Sequence, residues 1–366
     1  MNATGLILAP LGALYGAVTR ARLALYRRGA LPVHQLDSPV ISVGNITTGG
    51  TGKTPLVEWI ARAVAKEGCS ACILTRGYGR ADEAEQVLVS DGKRLLADAG
   101  KGGDEPRLLA EMLLGVAAVI SDANRVRAAR WAQDNLNSNC FILDDGFQHL
   151  RLARDLNIVS VDALNPWGGR RLLPGGRLRE PLAGLARADL IILTRAEQSQ
   201  EIDSLRKEAG SLSAGRPILL ARTRTTAIRP LAETLVKDDA AEIFYRPPST
   251  GNLLSPVEPV AAFCALGNPS AFFNHLRSDG HALSYTRVFP DHYVYEQADV
   301  DALVFEARRK GARALLTTAK DGVKLRSLRF ELPCYVLEIG FEFDDEQKLT
   351  GMLREAIRKR SPPDKR

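Results

Sequence analysis

The sequence predicts an α/β fold, a mostly parallel sheet with helices on both faces, followed by a second, smaller α/β domain. Three observations carry this. Short apolar runs of strand length (39–43, 71–74, 116–120, 140–143, 157–161 and 190–194) alternate with helical patterns, the signature of βαβ units. A glycine-rich turn, Thr47-Thr48-Gly49-Gly50-Thr51-Gly52-Lys53-Thr54, separates the first of these runs from a helical pattern that starts at Pro55. The alternation resumes beyond Arg216 with strand-like 260–265, helical 269–276, strand-like 285–289, helical 296–310 and strand-like 314–318. The expected division is therefore an N-terminal helix over 1–28, a first domain over 29–215 and a second over 216–366.

Length and composition agree with this division. The chain has 366 residues, 45% hydrophobic and 25% charged, enough for two sizeable cores and far from a disordered composition. The net charge of +6 is moderate and suits an anionic ligand or membrane face. Its only basic block is the short tail Arg358-Lys359-Arg360 with Lys365-Arg366, which reads as a solvated end, so no nucleic-acid partner is expected. Five cysteines show C-x-x-C spacing once, at Cys69 and Cys72, with no second pair at zinc spacing. They read as reduced thiols.

The first element is apolar from Leu6 to Val18, with Arg20, Arg22, Arg27 and Arg28 following it. A secretory signal carries its charges before the apolar core, and a bilayer span needs ~20 apolar residues. On a helix, Ile7, Leu11, Leu14, Tyr15 and Val18 fall on one face, one turn ahead of the arginines. Two placements account for such a helix: in a membrane interface, arginines near lipid phosphates, or against the protein's own core.

The turn at 47–54 has the form of a phosphate-binding loop. Glycines let backbone N–H groups converge on phosphate oxygens at a helix N-terminus, Lys53 reaches the β- and γ-phosphates, and the Thr54 hydroxyl suits Mg²⁺. The usual first glycine is replaced by Thr47. A P-loop NTPase-like fold with bound ATP follows from this loop in its strand-to-helix context.

Further along, Asp144 and Asp145 close the apolar run 140–143, where a P-loop enzyme places the acid that holds Mg²⁺; a turn or helix cap is the structural alternative. Gln148 and His149 project from the same loop. Asp104 ends the glycine-rich Gly100-Lys-Gly-Gly-Asp104 and serves either as a helix N-cap or as a base. His292, in Phe289-Pro-Asp-His-Tyr293, is its candidate partner, since a carboxylate–imidazole pair can accept a hydroxyl proton near neutral pH. Arg170, Arg171, Arg177 and Arg179 cluster beside Glu180 in a Pro/Gly-rich loop over 165–181 and suit either phosphate groups or solvent. Residues 238–258 are polar, contain proline, and read as a surface excursion.

Taken together, Val43-Gly-Asn-Ile-Thr-Thr-Gly-Gly-Thr-Gly-Lys-Thr-Pro55, Arg76-Gly-Tyr-Gly-Arg80, Gly103-Asp-Glu-Pro106, Asp144-Asp-Gly-Phe-Gln-His149, Leu178-Arg-Glu-Pro181, Pro290-Asp-His-Tyr293 and Thr317-Thr-Ala-Lys-Asp321 resemble the tetraacyldisaccharide 4′-kinase family over nearly the whole chain. The resemblance implies transfer of the ATP γ-phosphate to the 4′-hydroxyl of tetraacyldisaccharide 1-phosphate, giving lipid IVA on the cytoplasmic face of the bacterial inner membrane. It implies a peripheral, monomeric enzyme with a lipid disaccharide substrate and a second domain that closes over the site. It casts Asp104 with His292 as the base pair and Thr54 with Asp144 as Mg²⁺ positions. Tyr78, Glu105, Arg125, Asp145, His149, Arg177, Arg179 and Glu180 fall near nucleotide or lipid head group, and Thr47 stands where the family tolerates a small hydroxyl residue. Residues 238–258 read as an insertion relative to compact members. The rival reading is a nucleotide-dependent switch of the partitioning or division-site type, which also uses a G-G-x-G-K-T loop. Such switches carry a signature lysine before the glycine pair, where this chain has Thr48.

Overall fold

The structure is a computed structural model that describes residues 3–78, 80, 82–231, 236–237, 243–244 and 258–360; the expected excursion at 238–258 lies almost entirely outside the described residues. In chain order the first half contains α1 (Ala3–Arg27), β1 (Val40–Gly44), α2 (Lys53–Lys66), β2 (Ala71–Thr75), β3 (Val87–Ser90), α3 (Ala99–Gly102), α4 (Asp104–Met112), β4 (Ala117–Ser121), α5 (Arg125–Leu136), β5 (Cys140–Asp144), β6 (Leu156–Asp162), β7 (Leu190–Thr194) and α6 (Ile202–Leu212). The second half contains β8 (Ile218–Pro230), β9 (Val236–Lys237), β10 (Ile243–Phe244), β11 (Val260–Cys264), α7 (Pro269–Ser278), β12 (Leu283–Val288), α8 (Gln297–Arg309), β13 (Ala314–Thr318), α9 (Ala319–Leu325), β14 (Cys334–Phe343) and α10 (Glu346–Arg358).

Twelve strands form one sheet in the order β12-β11-β13-β14-β8-β7-β6-β1-β5-β2-β4-β3. β1, β2, β4, β5, β6 and β7 are buried along their whole length, as strands covered by helices on both faces must be. β1 pairs in parallel with β5 on one side and β6 on the other. Sequence-adjacent elements thus depart to opposite sides of β1, making a switch point where the carboxyl ends of strands open a crevice.

The sheet does not stop at the expected boundary. β8 pairs in parallel with β7 and then runs antiparallel along nearly all of β14, welding two parallel sets together. Phe343 of β14, with Leu349, Leu353 and Ala356 of α10, returns to the core formed by Leu56, Val57 and Ile60 of α2. The end of the chain therefore packs with the first half, because the long β8–β14 ribbon carries it back there. A separate core, with Phe263, Phe289, Tyr295, Leu303 and Leu315, belongs to the second half.

α1 settles one of its two expected placements only in part. It touches the protein through Gly12 and Gly16, which lie against the Leu172 carbonyl and side chain, and through the Tyr15 hydroxyl, which donates to the Arg179 carbonyl at 2.9 Å. Tyr15 thus turns inward and leaves the expected outer face. Leu11, Leu14 and Val18 point outward with 50%, 62% and 60% exposure. No helix among the described residues is long and apolar enough to cross a membrane. All five cysteines are free thiols, four of them buried.

Candidate active site

The phosphate loop follows β1 into α2, and its shape is built from specific tethers. Thr47 is buried and bridges to Leu178, so a threonine replaces the usual glycine by pairing with the 165–181 loop. The Thr48 N–H donates to the Arg177 carbonyl at 2.8 Å. Asn45 donates to the Thr51 hydroxyl at 3.0 Å, while the Thr51 carbonyl accepts from Ser160 and from Thr194, the latter at 3.1 Å. Arg195 donates to the Gly50 carbonyl at 2.9 Å and pairs with Asp162 at 2.6 Å. Gly49 (φ +112°) and Gly52 (φ +76°) take left-handed conformations that favour glycine. With the carbonyls tied back, the N–H groups at the start of α2, which lack helical partners, face the cleft.

That cleft is about 900 Å³, and its walls come from both halves of the chain. The first half contributes Gly49–Thr54, Tyr78, Glu105, Arg125, Asp144, Asp145, His149 and Arg179; the second contributes Asp291, His292 and Lys320; α1 contributes Tyr15, Val18 and Arg22.

At the carboxyl end of β5, two adjacent aspartates have opposite surroundings. Asp145 has φ +52°, which turns its carboxylate toward Lys53 at 3.5 Å and toward Arg179, which grips both its oxygens at 2.8 and 2.6 Å. Burial pushes its acidity toward the neutral form, but the Lys53 and Arg179 charges outweigh it and hold the group at about 2. Asp144 is 4% exposed, accepts from Thr75 at 3.3 Å, and among the described residues has no ion pair. Burial first, then the Glu105 and Asp145 charges, push it up to about 7 despite Lys53 and Arg125. A buried carboxylate with no ion pair among the described residues, lining the same cleft as Thr54 at the loop's end, is the donor set that a hard divalent cation takes with phosphate and water.

Asp104 is the first residue of α4, and the preceding Gly103 (φ +98°) lies close to Gly77, so the 76–80 and 100–104 loops pack on each other through glycines. Its Oδ2 lies 3.8 Å from His292 Nδ1. His292 itself has φ +61° and stands with its ring centroid 6.2 Å from that of Tyr78. The base pair expected from opposite halves of the sequence is thus brought together. Arg125 is buried beside the aspartates; burial, countered by Asp144 and Asp145, lowers its basicity. His149 lines the cleft and its buried Nε2 has no partner, while burial and the charges of Arg125, Arg154, Arg151 and Arg22 hold it down at about 3, a neutral imidazole.

The expected site residues Arg177 and Glu180 do not line this cleft. The Arg177 side chain is exposed and lines a small cavity behind the phosphate loop, and its backbone carbonyl does the tethering. Glu180 is 3% exposed and its carboxylate is taken up by Arg187 at 2.8 Å and Gln148 at 2.7 Å, so it braces the 144–149 loop from behind. Leu178 and Glu180 are buried on one side of the segment while Arg179 between them lines the cleft, as alternation of side chains along an extended backbone requires.

Sequence reasoning missed two lysines of α9. Lys320 lies 3.4 Å from both Glu105 and Asp291 and 3.5 Å from His292 Nε2. Lys324 lies 2.9 Å from Asp104 Oδ2. Their i, i+4 spacing after the strand at 314–318 was the available signal.

With this geometry in hand, comparison with known proteins is informative. The family model described as tetraacyldisaccharide-1-P 4′-kinase matches residues 4–358. Tetraacyldisaccharide 4′-kinases of Geobacter metallireducens (40% identical over 325 residues, 87% of this chain and 88% of the relative) and Chlorobium phaeovibrioides (37% over 362 residues, 96% and 98%) are among the similar proteins. The crystal structure of the "apo" form of LpxK from Aquifex aeolicus in complex with ATP superposes with a TM-score of 0.74 at 30% identity, covering 97% of this chain and 99% of that one. These likenesses do not favour the switch reading, and they span both halves that build the cleft: the chain belongs to the tetraacyldisaccharide 4′-kinase family.

Proposed function

We propose that this chain transfers the γ-phosphate of Mg·ATP to the 4′-hydroxyl of tetraacyldisaccharide 1-phosphate at a membrane surface, with the roles that follow. The observation that carries this reading is a phosphate loop and a carboxylate–imidazole pair facing one cleft, with a helix bearing an outward apolar face on its rim.

In this reading the amides of Gly49–Thr54 and Lys53 hold the β- and γ-phosphates, and Lys53 exchanges its contact with Asp145 for phosphate oxygens. Thr54 and Asp144 are the residues that hold Mg²⁺, which when bound neutralises charge on the transferring phosphate. Arg125 and Arg179 add fixed positive charge around the aspartates, and Arg179 keeps Asp145 turned from Asp144. Asp104, backed by His292, accepts the proton of the acceptor hydroxyl as that oxygen bonds to the γ-phosphorus and the bond to the β–γ bridging oxygen breaks, leaving ADP. Neutral His149 offers a hydrogen bond to the acceptor without adding charge. The part of the second half that carries the 290–293 turn closes over the nucleotide and delivers His292, excluding water from the phosphate, while β14 and α10 stay packed on the first half. Leu11, Leu14 and Val18 lie in the acyl region of the bilayer, so that the acceptor keeps its chains in lipid while its sugar enters beside Val18 and Arg22. The enzyme acts as a monomer.

Labelled ATP, Mg²⁺ and the detergent-dispersed acceptor lipid test the reading. Label in the lipid, abolished in Lys53→Ala, is expected; ATP-dependent dimerisation with no labelled lipid would overturn it.

A further inference from the structure

We propose that Lys324 is a positioning residue of the phosphoryl transfer: its ammonium fixes which oxygen of Asp104 meets the acceptor hydroxyl and binds the Asp104 and His292 segments into one unit. This rests on the reading of Asp104 as the base.

Lys324 Nζ lies 2.9 Å from Asp104 Oδ2 and donates to the Tyr293 carbonyl at 3.2 Å. Tyr293 directly follows His292. One ammonium therefore bridges the N-terminus of α4, in the first half of the chain, and the 290–293 turn of the second. Its side chain is 8% exposed and that of Asp104 25%, so the ammonium is held from behind while the carboxylate stays partly exposed. His292 Nδ1 approaches the same oxygen, Oδ2, at 3.8 Å. Both contacts load one side of the carboxylate and leave Oδ1, which carries neither, as the oxygen that can face an incoming hydroxyl.

α9 holds Lys324 by devices apart from the site. Thr318 caps the helix, and the buried Asp321 accepts from the Ala265 N–H at 3.1 Å and the Tyr295 hydroxyl at 3.1 Å. Arg326, just beyond the helix, makes a two-pronged pair with Glu111 of α4, and Arg107 donates to Glu111 at 2.7 Å. These pairs hold the two helices in register, and that register sets Lys324 opposite Asp104. In the transfer, the hydroxyl proton passes to Asp104 Oδ1 while oxygen bonds to phosphorus and ADP leaves; Lys324 keeps its own protons throughout.

The experiment is a double-mutant cycle on the full chain, with kcat and KM for ATP and acceptor lipid measured for wild type, Lys324→Met, Asp104→Asn and the double variant, and melting temperature read for each. Lys324→Met is expected to lower kcat by ~10–100-fold, a part of what a general base contributes, with KM for ATP within about twofold. In the Asp104→Asn background the same change is expected to cost less than about threefold, because the oxygen it orients is gone. Lys324→Arg, which keeps the charge and a donor, is expected to recover at least about tenfold of the loss. Equal losses in both backgrounds, or a loss that appears in KM for ATP and not in kcat, would overturn the role of Lys324. If Lys324→Met fails to fold, a folded Lys324→Arg enzyme with kcat no better than Asp104→Asn would overturn it, and near wild-type kcat would support it. An Asp104→Asn enzyme with wild-type kcat would overturn the base reading itself, a separate failure.

Discussion

Asp144 and Asp145 have the same side chain and adjacent positions, yet the fold gives one a proton affinity near neutrality and the other a charge at every ordinary pH. The difference is backbone geometry: φ +52° at Asp145 delivers its carboxylate to Lys53 and Arg179 and leaves Asp144 buried with no ion pair among the described residues. This has a consequence for stability. The ordinary aspartate value is near 3.9, so between there and about 7 the folded chain keeps a proton that the unfolded chain has released, and stability falls as pH rises through that window. Asp144→Asn removes the penalty. In metal- and nucleotide-free protein it should raise stability by roughly 2–4 kcal/mol at pH 8, with little gain near pH 4, while abolishing transfer. Melting temperatures at the two pH values check this; a variant less stable at pH 8 would contradict it. Lys53, Thr54 and the aspartate pair were legible in the sequence because each motif is local: a strand end and a tight turn fix where its side chains go. Arg177 and Glu180 were not, since their direction depends on how the 165–181 loop folds back onto Thr47 and Thr48.

At the scale of elements, the contact of α4 with α9 joins Asp104 to the second half of the chain. Glu111 sits between Arg107 and Arg326 at 7% exposure, and removing it leaves two guanidinium groups facing each other with no counter-charge. Glu111→Ala should cost ~3–5 kcal/mol in denaturant unfolding. A loss below about 1 kcal/mol would mark the triad as a solvated surface pair. The strands at 190–194 and 314–318 were readable to the residue, since short apolar runs closed by threonine and bounded by polar turns admit little else. β8 and β14 were not: β8 alternates exposed and buried residues along much of its length, and β14 finds its partner only through a pairing made across more than a hundred residues. Lys324 was invisible for the same reason, because its partner is set by that long-range packing.

For the whole molecule, one sheet carries two parallel sets, and the cleft opens where both meet the rim helix α1. On that rim Leu11, Leu14 and Val18 are exposed while Gly12 and Gly16 pack against Leu172. Replacing Leu11, Leu14 and Val18 with serine should lower partition into anionic vesicles by about tenfold or more and raise KM for vesicle-borne acceptor, with ATP affinity unchanged. Unchanged partition would contradict the membrane placement. The central claim remains the joining of a phosphate loop and a carboxylate–imidazole pair on one acceptor hydroxyl. The most direct measurement is the position of the new phosphate, read by phosphorus–proton correlation in the lipid product made by the wild type and by Asp104→Ala. The account predicts a single new phosphomonoester on the 4′ carbon, formed orders of magnitude more slowly by Asp104→Ala, which still binds ATP. Free inorganic phosphate as the only product, or equal rates from both proteins, would contradict it.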